Sequence, residues 1–248
     1  MELLAGFTWL QLAAALLTGL VAAFIRGLAG FGLAIILVPV LALALTPVEA
    51  VLTTNVVAML IGGIELPRLL REAERSVWTI IGLVLLTTLP GLMLLAATPP
   101  DIARLLIALV ALSAFFAVLF PVREPEQPGM VTTGLTGAAT GILTGFAGMP
   151  GPPVVPYYVG RAIPRQMAKS SMILIFTFAA LIGIGSGVAI GEMQWRLALL
   201  GAMLLPVVLV GTWLGRRADG KVSDRAWRIF VGAVLAAAAM AALVKLFV

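Results

Sequence analysis

No charged residue interrupts the 22 positions from Val77 to Thr98 or the 19 from Leu197 to Gly215. A helix of about 20 apolar residues spans the ~30 Å hydrocarbon layer of a bilayer, so each stretch is long enough to cross it. The rest of the chain agrees. Of 248 residues, 62% are hydrophobic and only 11% charged, where a soluble domain carries about 25% charged residues. Mean hydropathy is +1.15. Membrane strands would alternate apolar and polar residues in segments of about ten, and here both faces are apolar. Backbone groups in lipid must pair within their own segment, which leaves helices. The expected fold class is therefore an all-α integral membrane protein.

The residues that are missing narrow the chemistry. The chain has no cysteine and no histidine, which removes thiolate metal sites, disulfides and the commonest general base. No HExxH, GxSxG or Walker-type loop occurs. Lys169 and Ser170 are neighbours in sequence, and on a helix they would point about 100° apart, so they do not form a dyad. An enzyme is not expected, nor a nucleotide-driven pump, and no cofactor or metal is implied. The net charge of +5 lies in short loops and reads as membrane orientation rather than nucleic-acid binding. Glu2 is the only charge before Arg26, so a cleaved signal peptide is not expected.

Turn and charge signals divide the chain into apolar blocks: Leu3–Leu45, Val48–Leu66, Val77–Thr98, Ile102–Phe120, Val131–Val159, Met167–Ile190, Leu197–Gly215 and Ala226–Val248. A polar, proline-rich stretch, Pro121 to Gly129, divides them into halves. The halves answer each other. Gly27 matches Gly145, Pro39 matches Pro156, Pro47 matches Pro164, Trp78 matches Trp195, Pro90 matches Pro206 and Asp101 matches Asp224. The separations are 118, 117, 117, 117, 116 and 123 residues. Residues 1–120 and 131–248 thus read as two repeats joined by a linker at 121–130.

Loop charges set the orientation of the repeats. If every block crossed once, six basic residues would lie on one side and nine on the other, which is no bias. If Val131–Val159 enters and leaves on one side as a broken hairpin, the count becomes twelve against three, as the positive-inside rule demands. Each half is then a broken, re-entrant hairpin plus three full spans, and the odd number of crossings inverts the second half. Inverted repeats with broken helices meeting near the midplane are a secondary-transporter architecture. The first block is longer, and its first arm has the length to cross fully.

The breaks carry the candidate chemistry. Gly27, Gly30 and Gly32 interrupt the first block. Gly145, Gly148, Pro150, Gly151, Pro152 and Pro153 interrupt the fifth more strongly, because prolines also remove amide donors. The second half of a broken helix presents amides and a dipole that favour anions. Gly30, Phe31, Gly32, Gly148, Met149 and Gly151 are therefore candidate substrate-binding positions. The alternative is that the glycines only permit close packing. Arg26 stands directly before the first break, where a permanent charge is costly and points to an anion or to a partner such as Glu49 or Glu65. Thr53, Thr54 and Asn55 in one half, and Ser170 and Ser171 in the other, offer further hydrogen bonds. Tyr157, Tyr158 and Trp195 either line the site or anchor at the interface. Thr46-Pro-Val-Glu49 has the pattern of a capping box, and the triplets Gly137/Gly141/Gly145 and Gly183/Gly187/Gly191 are spaced for helix contact.

On these motifs the whole chain resembles the TauE/SafE sulfite-exporter family of membrane permeases. The resemblance rests on Gly27-Leu-Ala-Gly-Phe-Gly-Leu-Ala-Ile-Ile-Leu-Val-Pro39, on Gly145-Phe-Ala-Gly-Met-Pro-Gly-Pro-Pro-Val-Val-Pro156, and on the Pro47 and Pro164 helix starts. Phe31, Met149 and Pro150 depart from the family's usual glycine runs. The resemblance implies outward transport of sulfite, sulfoacetate or other sulfonates across a prokaryotic inner membrane. The alternatives at this stage are a carrier of carboxylates or another small metabolite, and a membrane assembly subunit that transports nothing. The expected partners are a small anion and the lipid bilayer, with homo-oligomerisation open.

Overall fold

The computed structural model describes residues 9–119, 128–159 and 161–218, and among these residues it is all helical, with no strand. The elements are α1 (Trp9–Ala29), α2 (Leu33–Ala44), α3 (Pro47–Glu72), α4 (Ser76–Ala97), α5 (Pro100–Leu119), α6 (Met130–Ala147), α7 (Gly151–Val159), α8 (Arg165–Ala189) and α9 (Trp195–Ala218). Helices α3, α4, α8 and α9 are long and apolar enough to cross a membrane. The last expected block, Ala226–Val248, and residues 121–127 of the expected linker lie outside the described residues, as does Asp224.

Local chemistry explains the boundaries. Thr46 and Glu49 form a reciprocal capping box with Pro47 at the first helical position of α3. Two blocks are each split by a short gap. Gly30 and Gly32 hold φ of 86° and 105° between α1 and α2, and Gly148 holds 64° between α6 and α7. Side chains with a Cβ avoid that region, so these glycines end one helix and start the next. Pro152 and Pro153 fall in the first turn of α7, where a missing N–H breaks no helical bond.

Glycine seams set the packing. Helix α3 runs antiparallel to α8, with Gly62 against Thr177, Gly183 against Asn55 and Gly187 against Leu52. Helix α6 runs parallel to α4, with Gly137 against Ile80 and Leu83, Gly141 against Val84 and Thr87, and Gly145 against Thr88 and Leu92. Helix α1 runs parallel to α9, with Gly19 against Leu204 and Val208, Gly211 against Leu20, Gly215 against Phe24, and Gly27 against Thr212 and Arg216. Each broken pair is therefore clasped by a helix from the other half of the chain.

Three sequence expectations change here. Gly27 and Gly145 do not interrupt their helices but pack them against carbonyl groups of α9 and α4. Gly191 makes no helix contact; it turns the chain after α8 with φ 77°. By what they touch, Thr88 on α4 answers Thr212 on α9, 124 positions apart, so Pro90 and Pro206, 116 apart, are not at matching depths.

Polar contacts sort the helix ends. The end of α3 and the start of α8 meet through Gln166 to Glu72 at 2.9 Å and the Glu74 amide to Ser171 at 2.9 Å. Arg161 bonds Glu74 at 3.0 Å, and Arg216 near the end of α9 reaches Glu65 of α3. That end of the bundle carries Arg68, Arg71, Arg75, Arg161, Arg165, Lys169, Arg216 and Arg217. At the opposite end, Arg196 pairs with Glu49, and Arg104 donates to the Ala42 carbonyl at 2.7 Å. The Thr133 and Tyr157 hydroxyls lie 2.9 Å apart, so the start of α6 and the end of α7 share the basic end.

Candidate functional site

Both helix breaks open onto one narrow cavity of about 40 Å³. A buried water needs about 10–15 Å³ by this measure, so the space suits a few waters or one small ion. From the first break come Arg26, Phe31 and Gly32 with the first turn of α2, and from the second come Gly148, Met149, Pro150 and Gly151. Asn55 and Ala58 of α3 close one wall, and Ile173, Phe176, Thr177 and Ala180 of α8 close the other.

The donors around this space are of three kinds. The first turn of α2 offers amides that have no partner inside the helix, at the positive end of a twelve-residue dipole. The start of α7 offers less: Pro150, Pro152 and Pro153 have no N–H, so Gly151 supplies the amide there. Asn55 is 3% exposed, and its Nδ2 has no hydrogen-bond partner. Gly183 makes room for this amide, since a Cβ there would stand 2.4 Å from Nδ2. An unpaired buried donor costs about 1–3 kcal/mol. A ligand acceptor in the cavity would remove that cost.

Arg26 is the third donor, and it is not isolated. Its Nη1 lies 3.2 Å from Glu65 Oε1, with both side chains 8% exposed. Glu65 also takes Arg68 at 2.5 Å, and Arg216. One carboxylate is thus shared among three guanidinium groups, and the cluster keeps a positive balance. Arg26 also borders a second cavity of about 120 Å³ with Gly30, Arg68, Lys169, Ser170 and Arg216. Lys169 Nζ donates to the Leu28 carbonyl at 3.1 Å, close to the end of α1.

Of the expected site residues, Arg26, Phe31, Gly32, Asn55, Gly148, Met149 and Gly151 line the central cavity. Gly30 and Ser170 line the basic one instead. Ser170 is bonded to Glu72 at 2.5 Å, and Ser171 accepts from the Glu74 amide. Thr53 and Thr54 are fully buried with unpaired hydroxyls but line neither cavity. Tyr157 faces a third space of about 620 Å³ with Thr133, Glu74, Ser76 and Arg161. There burial pushes the Glu74 carboxyl up, but hydrogen bonds from Arg161 and Ser76 outweigh it and hold the group below its usual range. Tyr158 bonds Ser76 at 2.7 Å, and Trp195 is exposed at the start of α9. Thr177, Arg68 and Arg216 were not among the expected residues. Their signal was weak, because each is an ordinary helix residue until the neighbouring helix is placed.

A family model described as sulfite exporter TauE/SafE matches residues 15–242. Among curated proteins, a probable sulfite/organosulfonate exporter TauE of Cupriavidus necator is 26% identical over 124 residues, covering 50% of this chain and 48% of the relative. The chain thus spans about half the length of the curated relative it matches. No solved structure matches the chain.

Proposed function

The chain belongs to the sulfite exporter TauE/SafE family, and from that premise we propose that it exports a small sulfur oxyanion, such as sulfite or sulfoacetate, across a prokaryotic inner membrane. The anion sits between the two helix breaks. Arg26, the Asn55 amide and the first amides of α2 bind it, and Phe31 and Met149 bound its apolar side. The observation that carries this reading is that Asn55, whose Nδ2 is buried without a hydrogen-bond partner, lines a cavity that Arg26 and both breaks also line.

The transport cycle follows from a two-repeat reading of residues 1–120 and 131–248. In it, α1–α2 is a broken hairpin open to one side and α6–α7 a broken hairpin open to the other, inverted about an axis in the membrane plane. The parallel pairs α1 with α9 and α4 with α6 support that reading, as does the antiparallel α3–α8 pair between them. Rocking of one hairpin against the crossed helices would open the cavity to each side in turn. The basic end faces the cytoplasm by the positive-inside rule. An inside-negative potential then drives a monovalent anion outward with about 2.3 kcal/mol per 100 mV.

The test is sulfite efflux from proteoliposomes, with sulfoacetate and a dicarboxylate as competitors. Arg26→Ala leaves Glu65 with Arg68 and Arg216, so the protein folds and the anion loses its charged donor. Losing a hydrogen bond to a charged group costs about 1.5–3 kcal/mol, so flux at low substrate falls about 10- to 150-fold. Asn55→Leu falls in the same direction. Wild-type flux in both folded variants would refute the central site, and a preference for the dicarboxylate would make the chain a carboxylate carrier.

A further inference from the structure

Arg26 faces two cavities. On one side is the central space between the breaks, and on the other is the basic vestibule at the charged end of the bundle. Four cations border the vestibule: Arg26, Arg68, Lys169 and Arg216. Two carboxylates stand against them. Glu72 is held by Ser170 at 2.5 Å and Gln166 at 2.9 Å, while Glu65 bonds Arg26, Arg68 and Arg216. The wall is therefore net positive. Glu65 gathers the guanidinium groups with two oxygens and one charge, the way a small oxyanion would.

We propose that this vestibule is a second oxyanion subsite, and that Glu65 is a tethered anion which gives up Arg26 when a small oxyanion takes its place. The proposal rests on the central cavity being an anion site. Arg26 and Ile173 line both spaces, so the guanidinium of Arg26 is the charged group on the boundary that an anion passing between them meets. Exchange strands no charge. On releasing Arg26, Glu65 keeps Arg68 and Arg216, and Arg26 gains the substrate, so neither partner is left buried and unpaired. When the anion departs, Glu65 closes on Arg26 again and empties its bonds. The ligand class is a small sulfur oxyanion whose oxygens can bridge two guanidinium groups.

Sulfite binding to the full chain in detergent, followed by isothermal titration calorimetry, tests this. Each variant is checked for folding by gel filtration and thermal unfolding. Wild type should bind at two sites. Asn55→Leu should keep only the vestibule site, and Arg216→Gln only the central one. Glu65→Gln should bind sulfite about fivefold or more tightly, the lower end of usual coupling between sites. The same variant should release sulfite more slowly in proteoliposomes. Should Glu65→Gln fail to fold, Glu65→Asp, one methylene shorter, should tighten binding in the same sense by loosening the grip on Arg26. A single site lost in Asn55→Leu and untouched by Arg216→Gln overturns the vestibule and leaves the central reading standing. A single site lost in Arg216→Gln and untouched by Asn55→Leu sinks the central reading and, with it, the exchange that rests on that reading. Unchanged sulfite affinity in the folded Glu65 variants overturns the exchange.

Discussion

Gly145→Ala tests how tightly the two halves of the chain are held together. A Cβ at this position would lie 2.1 Å from the Thr88 carbonyl oxygen and 2.4 Å from the Leu92 nitrogen. Ordinary contact begins near 3.4 Å, so α6 and α4 must part by about 1 Å, a gap that forfeits roughly a quarter to a half of each contact's dispersion energy. Gly141 and Gly137 lie on the same seam and loosen with it. Overpacking of this kind costs about 1–3 kcal/mol. Alanine's better helix propensity offsets about 0.5–1 kcal/mol, leaving a net loss of about 1–2 kcal/mol. For a chain of this size each kcal/mol moves Tm by about 2–4 °C, so Gly145→Ala should melt about 2–8 °C lower. The assay is intrinsic tryptophan fluorescence on heating in detergent. Gly82→Ala on α4 is the control, since nothing lies within 4 Å of a Cβ there; it should hold or raise Tm. Gly27→Ala, whose Cβ would stand 2.3 Å from the Thr212 carbonyl oxygen, should behave like Gly145→Ala. A Gly145→Ala protein as stable as the Gly82→Ala control would refute the close seam.

The remaining predictions concern the loops and the break. Glu74 is held below its usual range, so its folded pKa lies under the unfolded value of about 4.3. Its contribution to stability is fully present above that value and is lost as pH falls through the folded pKa. The Tm difference between wild type and Glu74→Gln should therefore be constant from about pH 8 to pH 5 and shrink only below about pH 4; a difference that fades near neutrality would contradict it. Gly148→Ala and Gly191→Ala both force a Cβ into the left-handed region, at a cost of about 1–2 kcal/mol each. Only Gly148 lines the central cavity, so efflux per folded molecule should drop in Gly148→Ala and persist in Gly191→Ala.

Much of this architecture is legible without coordinates because lipid leaves the backbone so few options. The two interruptions show as glycines and prolines in otherwise apolar runs, and Arg26 shows as a charge where charge is expensive. The hydroxyl pairs are less legible. Thr53 and Thr54 match Ser170 and Ser171 by separation, yet they do not meet. The α3–α8 pair is antiparallel, with Asn55 beside Gly183 and Gly62 beside Thr177. Matching positions therefore sit toward opposite ends of the bundle, about 21–24 Å apart at 1.5 Å per residue. Asn55 differs because its side turns to the cavity. The loop-charge count puts Arg68, Lys169 and Arg216 on one side of the membrane, but not around one vestibule. It is assembled from α1, α3, α8 and α9, and no local spacing brings Arg68, Lys169 and Arg216 together.

The crossed clasp of the broken helices has a consequence for how the protein is made. Helix α1 packs against α9, and Gly27 against Thr212, so α1 leaves the ribosome well before the segment that closes its seam. Until then its glycine face meets lipid or an insertase rather than protein. Contacts so distant in sequence slow the search for the native arrangement. Substitutions along this seam should thus lower the yield of inserted protein more than they lower the activity of molecules that finish folding.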